Sequence, residues 1–283
     1  MDDPTSGTDT DDESGSSLST VSLTLEYPNG ESPAVEGVSL TVDPGRLTAL
    51  IGPNGSGKST LLKGLSAQLE PAEGRTILDG RAVATYDDTE LARRLGILHQ
   101  ETEGMERLRV EELVAHGRYP YRRFLQRASE ADIDAIERAL SLTGIDRIRD
   151  RPLADLSGGQ RRLAWLAMVL AQDTDILLLD EPTTFLDLRH QLAVMDVVRG
   201  LRDDAETTVV VVLHDIEQAS RYADEIVVLS DGMVVSRGPP AEIITADLLA
   251  EVFGIEAIVE TDSQGVRIRP VRPLSPPSDD TPP

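Results

Sequence analysis

Cysteine is absent from the 283 residues, which removes disulfide frameworks and thiolate metal sites together. Lysine is nearly absent: Lys58 and Lys63 are the two in the chain, and every other basic residue is arginine. Positive charge is scarce as well, with 27 Lys and Arg against 50 Asp and Glu and a formal net charge of −23. That balance argues against non-specific nucleic-acid binding, which depends on cations neutralising phosphates, so no nucleic-acid partner is expected. No apolar run reaches the length of about 18 residues that a membrane-spanning helix needs. The start of the chain is acidic and polar, the opposite of a signal peptide, so a cytosolic location is expected. The length suits one large α/β domain or two modest ones.

What is present is concentrated in short motifs. Gly52-Pro53-Asn54-Gly55-Ser56-Gly57-Lys58-Ser59 fits the phosphate-binding pattern of glycine, four residues, glycine, lysine, serine or threonine. It follows the apolar run Leu47–Ile51, which reads as a buried strand, and precedes a helix beginning near Thr60. In that context successive backbone N–H groups form a concave anion site at a helix N-terminus. Gly55 and Gly57 allow the sharp turn and the close approach to phosphate oxygens. Lys58 is expected between the β- and γ-phosphates, and Ser59 is expected to offer its hydroxyl to Mg²⁺.

The ends of the chain differ from its middle. Residues 1–17 are rich in Asp, Ser, Thr and Gly and are expected to be a disordered acidic tail. Residues 271–283 carry many prolines and are expected to be frayed, leaving one domain over 18–270. Within it, Val21–Tyr27 and Val38–Val42 read as strands, the second ending in the turn Asp43-Pro44-Gly45. Thr76–Leu78 is a short strand ended by Asp79-Gly80, and Gly96–Leu98 leads to Gln100. Val110–Gly144 has a helical pattern, with Ser129 as N-cap before Ala131–Leu142 and Gly144 after it, and Gly158–Ala171 is another helix. Ile176–Leu179 and Thr208–Leu213 are unbroken apolar runs, as strands buried on both faces of a parallel sheet should be. Ile226–Leu229 and Met233–Ser236, joined through Asp231-Gly232, look like a terminal hairpin. The alternation of strand and helix predicts an α/β fold with a mostly parallel sheet, interrupted by a helical subdomain at about 101–172.

Two further motifs bear on chemistry. Leu156-Ser157-Gly158-Gly159-Gln160 places a serine and two glycines at a helix start, a second anion-binding N-terminus. The apolar run Ile176–Leu179 delivers adjacent carboxylates, Asp180 and Glu181, to the edge of the sheet where ligands of open α/β folds bind. One metal-side and one water-side carboxylate suffice for phosphoryl transfer, which rests on positioning and charge neutralisation.

Together these motifs resemble the ABC-type ATPases over roughly residues 20–255. The resemblance implies a P-loop NTPase core with a mostly parallel sheet, an N-terminal antiparallel β subdomain and an inserted helical subdomain. It implies ATP and Mg²⁺ as cofactors, with ATP held by Tyr27 against adenine and by Gly52, Asn54, Gly55, Ser56, Gly57, Lys58, Ser59 and Thr60. It assigns Mg²⁺ to Ser59, Asp180 and Gln100, and hydrolysis to Glu181, His214 and Gln100. It implies a head-to-tail pair of identical chains in which Ser157, Gly158, Gly159, Gln160 and Asp187 of one reach the ATP of the other. Each motif occurs once, so two chains are needed for two sites. Gly117-Arg118-Tyr119-Pro120-Tyr121, Trp165–Gln172 and Thr184–Gln191 are similar to segments of the ferric-siderophore uptake ATPases. The expected role is therefore an importer subunit on the cytoplasmic face of the membrane. Its partners would be permease subunits and, indirectly, a substrate-binding protein; iron chelates rank first as cargo, with haem or cobalamin as alternatives. A transport-independent soluble ABC ATPase is the rival reading.

An acidic, lysine-poor composition also resembles proteins of salt-loving archaea, where salt screens self-repulsion in the compact state. The thermal unfolding midpoint and the activity should both rise markedly between dilute buffer and molar KCl. Equal stability at the two salt concentrations would contradict this reading.

Overall fold

The computed structural model describes residues 16–28, 30–100, 105–122, 127–205, 207–262 and 265–274. Its elements in chain order are β1 (Leu18–Leu25), β2 (Val35–Val42), β3 (Leu47–Ile51), α1 (Lys58–Leu65), β4 (Glu73–Leu78), β5 (Arg81–Ala82), α2 (Asp88–Ala92) and β6 (Leu95–Leu98). The helices α3 (Val110–His116), α4 (Glu130–Thr143) and α5 (Gly158–Leu170) follow. Next come β7 (Ile176–Asp180), α6 (Leu188–Ala205), β8 (Thr208–Val212), α7 (Ile216–Tyr222), β9 (Glu225–Ser230) and β10 (Met233–Gly238). The chain then runs through α8 (Pro240–Ile243), α9 (Ala246–Phe253), β11 (Ile255–Asp262) and β12 (Gly265–Pro273).

The main sheet has the order β10-β9-β3-β8-β7-β6. Its five strands from β9 to β6 run parallel, and β10 pairs antiparallel with β9. A second, antiparallel sheet has the order β2-β1-β4-β5. The unbroken apolar runs have a direct cause in the period of the strand. Leu177, Leu179, Val209 and Val211 face a core shared with the helices α3 to α6. Ile176, Leu178, Val210 and Val212 face a second core shared with α1, β1 and β2. Both faces are covered, so alternation in hydropathy disappears. α1 comes close to β1 because residue 64 is glycine: a Cβ there would lie 2.5 Å from Leu25.

α3, α4 and α5 pack on one another, with Trp165 and Leu166 of α5 in the core beside Leu113 and Leu140. Ser129 caps α4 through a reciprocal pair with Asp132, and Gly144 closes the helix in the left-handed conformation, both at the positions expected. The Gly117–Tyr121 segment is structural glue for these helices. A Cβ on Gly117 would sit 2.1 Å from the Met168 carbonyl, so only glycine lets α3 end against α5. Arg118 then turns inward, pairing with Asp132 at 2.9 Å and donating to the Ala171 carbonyl at 2.9 Å, with its guanidinium 3.9 Å from the Tyr121 ring centre.

Three features differ from expectation. The β9–β10 hairpin is not terminal, because α8, α9 and the β11–β12 hairpin follow it. β12 pairs with β11 as far as Pro273 opposite Ile255, so residues 271–273 are strand rather than frayed chain. Prolines in a two-stranded edge lose no interior ladder bond, and this is why the prolines there misled. At the other end, residues 1–15 of the expected tail lie outside the described residues. Ser17 is held by Asp79, its N–H donating to Oδ1 at 2.9 Å.

Burial alone would raise the Asp132 pKa, but the Ser129 N–H, Arg118 and the Ser129 hydroxyl together hold it below the usual carboxylate value. The pair therefore stabilises the fold above the ordinary carboxylate range, and this contribution is lost as pH falls through the depressed value. Arg118→Met should cost about 3–5 kcal/mol at neutral pH by leaving a buried charge unpaired. Chemical unfolding across a pH series should show the gap to the parent narrowing in acid; a gap independent of pH would refute the assignment.

Candidate nucleotide site

Four neighbouring strands, β3, β8, β7 and β6, end at one edge of the main sheet. The chain leaves these strands into the Gly52–Ser59 loop, His214, Asp180-Glu181 and Gln100 respectively. This is the carboxyl edge of an open parallel sheet, where such folds bind ligands.

The loop after β3 is built for glycine. Gly52, Gly55 and Gly57 have φ of +150°, +82° and +94°. A Cβ would fall 2.1 Å from the Leu229 carbonyl oxygen at Gly52 and 2.3 Å from the Ala34 carbonyl oxygen at Gly57. α1 begins at Lys58 with no side-chain cap, so its first N–H groups point into the loop without a side-chain acceptor. Asn54 and Gly55 are exposed at the tip, while the buried Ser56 hydroxyl has no hydrogen-bond partner among the described residues. Lys58 is 5% exposed, and its ammonium donates to the carbonyls of Gly52 at 2.9 Å and Pro53 at 2.8 Å. Burial lowers its pKa, opposed by the charges of Glu181 and Asp180. Tyr27 lies beyond the end of β1, 40% exposed, with its hydroxyl 3.3 Å from Thr60 Oγ1 and the Lys63 ammonium 5.7 Å from its ring centre.

The two carboxylates have separate environments. Ser59 Oγ donates to Asp180 Oδ1 at 2.8 Å, tying α1 to the end of β7. Burial raises the Asp180 pKa, the Ser59 bond opposes this, and the like charge of Glu181 adds to the rise. Glu181 is 9% exposed and has a left-handed backbone, φ +47°. Such a conformation in a residue other than glycine is strained and persists only where neighbours enforce it. Its carboxylate accepts from Gln100 Nε2 at 2.7 Å and Thr184 Oγ1 at 3.0 Å, both on Oε2. His214 Nε2 lies 2.5 Å from Oε1. His214 directly precedes Asp215, which caps α7 by accepting from the Gln218 N–H at 2.9 Å.

Ser157, Gly158, Gly159 and Gln160 start α5, where Ser157 and Gln160 form a reciprocal capping pair. Among the described residues no hydrogen bond or ion pair joins these four, or Asp187, to the Gly52–Thr60 loop. Ser157 is paired with Gln160 instead, and Asp187 with His190. The His190 ring occupies the space beside Gly159, where a Cβ would meet it at 2.4 Å, and His190 Nδ1 lies 2.8 Å from Asp187 Oδ1. Bonds from the His190 N–H and ring hold the Asp187 carboxyl below its usual pKa. Phe185, between Glu181 and Asp187, is 98% exposed.

Three contributing residues carried weak signals in the sequence. Thr184 and His190 fall in the Thr184–Gln191 stretch, where the motif assigned a role to Asp187 alone. Arg162 is a cation three residues after Gly159 and four before Leu166, on the buried face of α5, and that misplacement was its mark.

A glycine loop ahead of α1, a hydroxyl–carboxylate contact and a carboxylate held from three sides match the arrangement expected of a P-loop ATPase. Residues 35–184 match the family model described as ABC transporter. The chain belongs to this family. It is 44% identical over 247 residues to the Bacillus subtilis protein named "Probable siderophore transport system ATP-binding protein YusV", covering 87% of this chain and 89% of the relative. It is 43% identical over 240 residues to the Escherichia coli ferric enterobactin transport ATP-binding protein FepC, covering 85% and 88%. A bacterial ABC transporter cassette solved as a dimer superimposes with a TM-score of 0.70 at 28% identity, covering 79% of this chain and 98% of that one.

Gly159→Ala should destabilise the fold by about 1–3 kcal/mol, because its methyl group overpacks against His190. In a His190→Ala background the same change should cost little. Urea unfolding of the parent and the three variants tests this, and equal costs in both backgrounds would dissociate Gly159 from His190.

Proposed function

We propose that the chain hydrolyses ATP with Glu181 as the base that orients the attacking water and takes its proton. The observation that carries this is the Glu181 carboxylate, held on one oxygen by Gln100 and Thr184 and on the other by His214, next to the Ser59–Asp180 contact. A carboxylate fixed on both oxygens meets the need of phosphoryl transfer for positioning. Lys58 and the N–H groups of the Gly52–Thr60 loop hold the phosphates, and Tyr27 offers its ring to adenine. Lys58 exchanges its carbonyl partners for phosphate oxygens as the nucleotide enters.

Ser59, Asp180 and Gln100 present hydroxyl, carboxylate and amide oxygen, a donor set that suits Mg²⁺. Among the described residues there is no cluster of three or more His, Cys, Asp or Glu that could form a metal cage. This agrees with a cation completed by phosphate and water. When bound, Mg²⁺ supplies charge neutralisation on the phosphates.

The second ligand surface is the capped start of α5. In our reading Ser157–Gln160 and Asp187 of one copy meet the phosphates held by another, giving a head-to-tail pair; the dimeric cassette relative supports this. The pair sits at the cytoplasmic face of a membrane against permease subunits. Its cargo is an iron chelate, in keeping with the names of the two curated relatives given above. Among the described residues no helix is long and apolar enough to cross a membrane, so the spanning segments would belong to the partner. ATP favours the closed pair through its differential affinity for that state, and hydrolysis reopens it. The abundance of acid and the paucity of lysine support adaptation to salt.

Glu181→Gln should bind ATP, accumulate as a nucleotide-bound dimer on size exclusion, and turn over at least about a hundredfold more slowly. Parental turnover would refute the assignment of the base. Lys58→Ala should lose nucleotide binding itself, measured by a fluorescent ATP analogue.

A further inference from the structure

Arg162 of α5 is 7% exposed and uses every guanidinium nitrogen on main-chain carbonyls. Nε donates to Pro182 at 3.1 Å, Nη1 to His99 at 2.6 Å and Gln100 at 3.3 Å, and Nη2 to Asp180 at 2.9 Å and Glu181 at 3.1 Å. Among the described residues no carboxylate lies within ion-pair distance of it. Desolvation pulls its pKa down to about 10, with the charges of Asp180 and Glu181 acting the other way. A buried cation without an ion-pair partner is an expensive way to join three segments if stability were all it served.

The carbonyls it gathers are not a random set. Those of residues 99 and 100 carry the Gln100 side chain that meets Glu181, and those of 180–182 flank the strained Glu181 backbone. A planar fork with fixed donor directions locks both segments to one plane, which a lysine with its single nitrogen does not reproduce. The fork is mounted on the helix whose first turn is Ser157–Gln160, so a tilt of that turn moves the Gln100–Glu181 pair with it.

We propose that Arg162 is a positioning residue for hydrolysis, setting the Gln100–Glu181 contact and linking it to the start of α5. The proposal rests on the reading of Glu181 and Gln100 given above.

The test uses the full chain, with Arg162→Gln and Arg162→Lys each made alone and together with Gln100→Ala. Steady-state ATPase rates, fluorescent-nucleotide affinity and thermal unfolding are measured for all, with Glu181→Gln alongside. Each Arg162 variant should lower kcat by about 10- to 100-fold, the penalty of a small misplacement at a reacting centre, with KM moved less than about threefold. Lysine should rescue little. The double variants should be no slower than the slower single, because both changes release the same contact. Multiplying losses in the double variants, or Arg162→Gln within twofold of the parent, would overturn the proposal. Loss of the unfolding transition in both Arg162 variants would overturn it in favour of a purely structural role. Parental turnover in Glu181→Gln would remove the underlying reading, and the proposal with it. An inactive Glu181→Gln beside multiplying losses would refute the proposal alone.

Discussion

Asp180 and Glu181 are adjacent carboxylates at the end of a strand buried on both faces, and the site depends on keeping their environments different. β-strand geometry sends neighbouring side chains to opposite sides. Asp180 is turned toward α1 and Ser59, while the left-handed backbone at Glu181 breaks the strand and turns its carboxylate toward Gln100, Thr184 and His214. Two like charges this close would repel in a dry interior. The Ser59 bond on one side and the Arg162 cation behind their carbonyls make the arrangement tolerable.

The parallel sheet follows from the same need. Only parallel strands bring several carboxyl ends to one edge, and strands covered on both faces must be apolar throughout. The sequence showed this part of the fold plainly: the apolar run Leu47–Ile51 leads into the glycine loop, Ile176–Leu179 into Asp180 and Glu181, and Thr208–Leu213 into His214. The glycines of the Gly52–Ser59 loop stood out equally, and the close approaches at Gly52 and Gly57 give a physical reason for two of them.

Other parts were hidden for definable reasons. β11 and β12 form an edge pair with mostly exposed faces, carrying weak hydropathy alternation and several prolines, so the stretch resembles a loop in composition. Arg162 and His190 act through carbonyls and through the missing side chain of Gly159, partners that have no signature in a one-dimensional pattern. The Gly117–Tyr121 segment was visible as a family likeness, but its work is to join helices through Arg118 and Asp132, a partner fourteen positions away.

The near absence of lysine acquires a practical meaning once the fold is known. The two lysine side chains, Lys58 and Lys63, belong to one short helix, the first sealed under the glycine loop and the second beside Tyr27. Amine-reactive reagents that modify most proteins at dozens of scattered places therefore find their side-chain targets here gathered at a single locus. Protection of that locus from acylation would report occupancy of the site directly, without labels or engineered handles.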